Sequence, residues 1–433
     1  MTARDVNGDA TDAFSVVIHD KPPTVLVSSP ANYSYARPFM DYSFRCEDDD
    51  PAGCRDVDLF INSALVLKGT TQLSGRISLA EFAHKGSVNV AFQGVDSRGT
   101  MRRLEYLIYV ETSPHLTEVA SAELDVLDYR AGRLLIGDAS GLRRIRTLAS
   151  GETQSFTVPP ASSTFWVDQQ LTKRGALLVG SAAGGRTAAM HAVNGQIDTL
   201  GGLTSLPAVN GDYSATLGTF NNRVTRHNLV TGDSITVASD VYPFWFGVGP
   251  NGDVVYASSY ATNEIYRWRS GLTVRLTSDS GSGRSNRSPM TDGVNVAYFK
   301  YSASNARIML HDGSREVELA SGGTVTGFWS FPRTAYALDA GWTAFTRPDA
   351  QGIYQVWTRS PTGVLWQASA SGIGCNLDAL GSMGAVVYTC GQRRYLAEPG
   401  RMGQDVMSRS GKVVWRDDAF YALQGTAVYR ITP

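Results

Sequence analysis

A surplus of charge of either sign is missing from this sequence. Lys and Arg total 39 against 40 Asp and Glu over 433 residues, a net charge of -1. The lack of a basic surplus argues against a general nucleic-acid or polyanion binder. Charged residues make up 18% and hydrophobic residues 42%, the balance of a folded chain rather than a disordered one. No apolar run approaches the roughly 18 residues of a membrane-spanning helix. The first residues show neither the basic stretch nor the apolar core of a secretory signal. There are only four cysteines, none in a CxxC spacing and none with a histidine close by in sequence to complete a zinc site.

Those cysteines form two close pairs. Cys46 and Cys54 bracket an acidic stretch, and Cys375 and Cys390 bracket a turn between two expected strands. Two local disulfides are the simpler expectation, and they imply an oxidising compartment, extracellular, cell-surface or periplasmic. The alternative is four buried free thiols acting as small hydrophobes.

An offset of 91 residues relates two turn-and-strand units, Asp5–Gly8 followed by Ala13–Asp20 and Asp96–Gly99 followed by Leu104–Glu111. In each, glycine supplies the positive φ of a tight hairpin. A repeat of about 90 residues has the size of an immunoglobulin-like sandwich. Residues 1–20 are therefore expected to be the last hairpin of a preceding Ig-like domain. Residues 21–111 are expected to form a complete one, with strands at Asp41–Arg45, Asp56–Ile61, Ala64–Lys68, Ser87–Phe92 and Leu104–Val110. The opening Pro22–Pro30 and the ending "VDSRGT…YLIYV" resemble the bacterial Ig-like domains of exported and surface proteins, a resemblance that implies a spacer.

From residue 112 the texture changes. Gly132, Gly175, Gly211, Gly252, Gly293, Gly341, Gly384 and Gly411 each open a run of strand-forming residues, at steps of 43, 36, 41, 41, 48, 43 and 27. A period near 40 with about four short strands per unit is the signature of a β-propeller. Eight markers favour eight blades over 112–433, and the short last step leaves seven open. Leu116–Ser121 reads as an outer strand able to close the ring against the last blade. The pattern of a turn, "VaY", and a hairpin ending "v.lt" resembles TolB-type propellers, a packing pattern that carries no activity with it. The fold class is all-β: an Ig-like β-sandwich followed by a seven- or eight-bladed propeller.

Chemical groups are thinly spread. His191, His227 and His311 recur at the end of the third strand of different blades, which separates them in space and argues against a shared metal or catalytic role. The propeller has no Gly-x-Ser-x-Gly elbow, and Ser278–Gly281 lacks the Thr-Trp of a sialidase box. The run Glu47, Asp48, Asp49, Asp50 offers carboxylates to calcium, which takes roughly six to eight oxygens, or is a solvated loop. Asp5–Asp9 offers alternating oxygens too, but it lacks the glycine and closing glutamate of an EF-hand. Arg284 and Arg287, in the Gly/Ser stretch Ser278–Ser288, are candidates for an anionic ligand. Trp245 and Trp329, in "YPFWF" and "FWSFP", are candidates for a sugar-stacking or protein-binding platform, or else inter-blade core.

No cofactor is expected beyond calcium. The expected function is a secreted or cell-surface binding module whose propeller takes a carbohydrate or protein ligand, with upstream Ig-like domains as neighbours. The alternatives are a polysaccharide lyase or glycosidase, and a structural spacer or shell in a larger surface or toxin assembly.

Overall fold

β-branched and aromatic residues in runs of five to eight, cut by glycine turns, give a chain built almost wholly of short antiparallel strands. The computed structural model describes residues 2–4, 11–13, 21–49, 51–138, 141–157, 165–181, 187–203, 207–218, 223–239, 241–258, 263–278, 285–302, 305–321 and 336–433. It divides into two units, Met1–Thr112 and Ser113–Pro433.

In the first unit, Thr2–Arg4 pairs with Thr11–Ala13. Beyond this hairpin lie two sheets. One has three strands, with Phe39–Glu47 between Thr24–Ser29 and Gln72–Ser78. The other has five, in the order Tyr35–Ala36, Met101–Val110, Ser87–Asp96, Cys54–Ile61 and Ala64–Gly69. Tyr35–Ala36 runs parallel to Met101–Val110, so the entering chain leaves the first sheet and joins the edge of the second. Alternating apolar residues of both sheets share one core, in which the Phe44 and Phe92 rings meet edge to face at 5.0 Å. The Cys46–Cys54 disulfide ties the end of a three-sheet strand to the start of a five-sheet strand. Each of the five expected strands lies inside an observed one. The missed strand Gln72–Ser78 packs Leu73 and Ile77 against the core, but Gly75 stands between them on that face and interrupts the apolar alternation.

Among the described residues the second unit forms eight four-stranded antiparallel sheets, at 125–157, 165–203, 208–238, 241–275, 285–321, 336–367, 375–408 and 412–431. The last sheet takes its fourth strand from the start of the unit: Leu116–Ser121 pairs with Ala427–Ile431. Apolar clusters fill the space between successive sheets. One of them packs Val414, Tyr421 and Val428 of the last sheet against Val126, Leu134 and Ile136 of the first. The array thus closes on itself: most first strands lie beside the first strand of the next sheet, and Asp125–Arg130 packs on Ala419–Gln424 of the last one. Bulges interrupt the pairing of several first strands, at 126–128, 287–290 and 377–379 among others, and increase their twist.

The marker glycines sit in turns. Seven have positive φ, and the eighth, Gly175, is required because a Cβ there would lie 1.8 Å from the Ala192 carbonyl oxygen. The short last step has a simple cause. Gly411 opens a first strand, whereas the other markers open second strands; the corresponding turn of the last sheet is Asp417–Asp418, at φ 48° and 58°. Aspartate tolerates that left-handed region better than most residues.

Candidate functional site

The turns from first to second strand lie at one end of the second unit and are tied to one another. Asp417 Oδ2 accepts a bond from the Ala131 N–H, and Arg133 donates to the Thr172 carbonyl at 2.6 Å. Asp292 Oδ2 accepts from the Gly341 N–H at 2.7 Å, and the Ser382 hydroxyl donates to Asp418 Oδ1 at 3.4 Å. Most of the connections at the opposite end lie outside the described residues.

Between the last two sheets the turn end holds a notch of about 170 Å³. Its apolar walls are Leu396, Trp415 and Phe420, and its polar lining includes Glu398, Asp418 and Arg430. Trp415 and Phe420 are directly paired residues of adjacent strands, with rings 4.6 Å apart and tilted by 58°. Such close cross-strand aromatic pairs hold both rings in place. Glu398 follows the strand Arg393–Ala397 and accepts from Arg401 at 3.3 Å.

Asp418 also acts at a distance on a second group. Asp339, at the end of the strand Tyr336–Asp339, has its carboxyl pushed up to about 6 by burial, with help from the charges of Asp292 and Asp418. Asp128, fully buried in the first strand of the first sheet, is also pushed up by burial. It accepts from the Leu171 N–H at 2.7 Å, lies 3.7 Å from Arg416, and leaves Oδ1 without a partner.

Other buried polar groups are structural. Glu264 accepts from Arg275 at 2.9 Å and from the Thr277 hydroxyl, whose oxygen receives the Ile265 N–H. Two sheets on, Gln355 and Ser369 repeat the arrangement, with the Val356 N–H on the Ser369 hydroxyl at 2.8 Å. The repeat of one staple in two sheets marks it as part of the fold. His191, His227 and His311 lie in third strands of three different sheets, as their spacing requires. His191 bonds Thr172, while His227 bonds Thr216 and Ser234; burial lowers both rings from the ordinary histidine value, His227 to about 4.

The residues singled out from sequence fall as follows. Both expected disulfides form, and Cys375 lies directly opposite Cys390 in paired strands. Arg287 lies in the strand Ser285–Thr291, bonds the Ser285 hydroxyl at 2.7 Å and sits 4.9 Å over the Tyr301 ring. Trp245 belongs to the strand Val241–Val248, but its side chain, together with Arg284, Trp329 and Asp50, lies outside the described residues. Glu47 pairs with Arg45 at 2.8 Å, and Asp48 has a buried oxygen without a partner. Among the described residues, no group of three or more His, Cys, Asp or Glu is placed to hold a metal ion. The notch itself was missed from sequence. Its one signal is Trp415-Arg-Asp-Asp418, where an aspartate pair replaces the glycine of the other turns.

No family model matches the sequence, and neither does any curated protein. Among solved structures the chain is similar to dipeptidyl peptidase 4 of Porphyromonas gingivalis, at 11% identity and a TM-score of 0.47 over 70% of this chain and 56% of the peptidase. It therefore spans little more than half of that protein. It is also similar to BamB of Moraxella catarrhalis, at 14% identity and a TM-score of 0.43 over 73% and 100% of the two chains. A third is the β-propeller domain of the Trilobed protease of Pyrococcus furiosus, at 8% identity and a TM-score of 0.37 over 69% and 94%. Likeness at this level says nothing of activity. It is the strand pairing and the cyclic core that make the unit Ser113–Pro433 a β-propeller.

Proposed function

We propose that the chain is an exported ligand-binding protein in which an eight-bladed propeller takes a carbohydrate and an Ig-like sandwich acts as spacer. The blade number is supported by the eight sheets and the clusters between them. The Ig-like reading is supported by the three- and five-stranded sheets and by the entering strand shared between them. The disulfides fit an oxidising compartment, and no helix of the described residues is long and apolar enough to cross a membrane.

The Trp415 notch carries the binding reading. An indole wall beside the carboxylates of Glu398 and Asp418 matches a sugar, whose ring has an apolar face for stacking and hydroxyls for the polar rim. The test is a glycan-array screen of the full chain, with and without EDTA, alongside Trp415→Ala. Retention of one glycan class by the unmodified chain and its loss in the variant is the expected result. Equal retention by both would move the site elsewhere, and silence on every glycan would end the carbohydrate reading.

A second reading, glycoside hydrolysis, draws on Asp339. A carboxyl raised to about 6 near two other carboxylates is an environment suited to a general acid. It requires release of cleaved sugar by the unmodified chain and loss of that release in Asp339→Asn.

A further inference from the structure

The charges that share the notch with the indole are negative. Trp415 is paired with Phe420 and faces the preceding sheet, where its ring lies on Gly381. Asp418 Oδ1 accepts from the Ser382 hydroxyl at 3.4 Å, so its carboxyl is turned to the same Gly381-Ser382 turn. Glu398 joins them from two residues beyond Leu396, which packs in one cluster with Phe420. No lysine or arginine pairs with Asp418 among the described residues. Glu398 meets Arg401 through Oε2 alone, and both partners are exposed, so that pair is weak. Arg430 does not answer either carboxylate: its register partner is Tyr421, which places its side chain on the face turned to the first sheet.

From this arrangement we infer that the ligand is an amino sugar, a pyranose bearing a protonated amine, with the ammonium on Asp418, Glu398 adding to the negative field, and the ring against Trp415. The inference rests on the carbohydrate reading above and narrows it. An ammonium brings three donors and a full charge to a carboxylate, where a hydroxyl brings one donor and no charge. The negative face of the indole favours the same sign of charge in the ligand. A sugar bearing a carboxylate would add a like charge to the two already present, which the site disfavours. A bare calcium ion is a poorer match, because two carboxylates supply fewer than the roughly six to eight oxygens it takes.

The test compares chitotriose with cellotriose, which has the same β-1,4-linked rings and carries a hydroxyl in place of each amine. Calorimetric titration of the full chain is run at pH 6, where the ring amines are charged, and at physiological salt. Chitotriose is expected to bind about fivefold or more tightly, the difference between a charge-assisted and a neutral hydrogen bond. Asp418→Asn is expected to erase that preference; asparagine suits the left-handed backbone of Asp418, at φ 58°, so the turn is kept. Glu398→Gln is expected to reduce it. Asp417→Asn removes a neighbouring charge whose carboxyl is turned to Ala131 of the first sheet, and is expected to retain most of the preference. Equal binding of the two sugars, a preference that survives Asp418→Asn, or equal losses in Asp417→Asn and Asp418→Asn overturn the inference. If the two sugars bind equally and Trp415→Ala abolishes both, the carbohydrate reading stands without the amino-sugar one. Binding of neither, with another glycan class retained on the array, has the same meaning. If neither binds and the array is silent as well, both readings fall.

Discussion

Trp415 lies against Gly381, so closely that a Cβ on Gly381 would come within 2.9 Å of the indole ring. Gly381 and Gly384 lie in the turn between Cys375–Leu380 and Val386–Cys390 of one sheet, and the Trp342 ring covers that turn at Gly384. Gly381 has no positive φ to accommodate, so alanine there tests packing alone. Gly381→Ala is expected to displace the indole, cost about 1–3 kcal/mol and weaken binding at the notch. Thermal unfolding and glycan titration check this; unchanged binding with an unchanged melting temperature would mean that the indole does not need its seat.

His227 makes stability fall in acid. Burial lowers its pKa to about 4, so the folded chain keeps the ring neutral while the unfolded chain takes a proton below about 6.5. The contribution is complete above that value and is lost as the pH falls toward 4. The loss is expected to reach about 3 kcal/mol, with His191 acting in the same direction. Urea unfolding at pH 7 and pH 4.5 measures it, and His227→Gln should flatten the difference.

Asp339 carries the opposite sign. Its raised pKa means that the folded chain holds the proton more tightly, so its contribution is full below about 3.9 and is lost as pH rises through 6. Asp339→Asn is expected to stabilise the protein above pH 6 by about 1 kcal/mol, a figure discounted because the group is only half-buried. Melting temperatures at pH 5 and pH 8 decide it; equal shifts at both values would assign the effect to something other than titration.

The closure through Leu116–Ser121 predicts that the last sheet depends on the start of the unit. Ala120 is buried in the cluster joining the last sheet to the first. Ala120→Asp places an unpaired charge there and is expected to cost about 3 kcal/mol or more. Hydrogen exchange should show early opening of Ala427–Ile431, and protection equal to that of the parent chain would count against the closure as a source of stability.

Reduction should lower stability as well. The Cys375–Cys390 link spans 15 residues and is expected to contribute about 3 kcal/mol by restricting the unfolded chain. Paired Cys375→Ser and Cys390→Ser substitutions, followed by denaturant unfolding, measure it; no change would place the stabilisation in the paired strands alone.

Much of the architecture was legible because it depends on short-range rules. Glycine recurs where a turn needs left-handed backbone, and the runs after it are rich in β-branched and aromatic residues, so the period shows directly. The outer-strand character of Leu116–Ser121 was legible from its likeness to Val274–Ser278. Gly411 misled because a glycine looks the same whether it opens a first or a second strand, and Asp417–Asp418 took the turn that glycine serves elsewhere. Gln72–Ser78 was hard to see because its core-facing positions, Leu73 and Ile77, are separated by Gly75 and flanked by polar residues.

The sequence by itself determined the all-β class, the repeat, the cysteine pairs and the separation of the histidines, since each follows from spacing along the chain. Tertiary structure alone decided the site. Trp415 and Asp418 of the last sheet meet Leu396 and Glu398 of the sheet before it, and nothing in their local sequence brings them together. Their meeting depends on how one sheet packs on the next. That is a property of through-space distance, which a linear pattern does not carry.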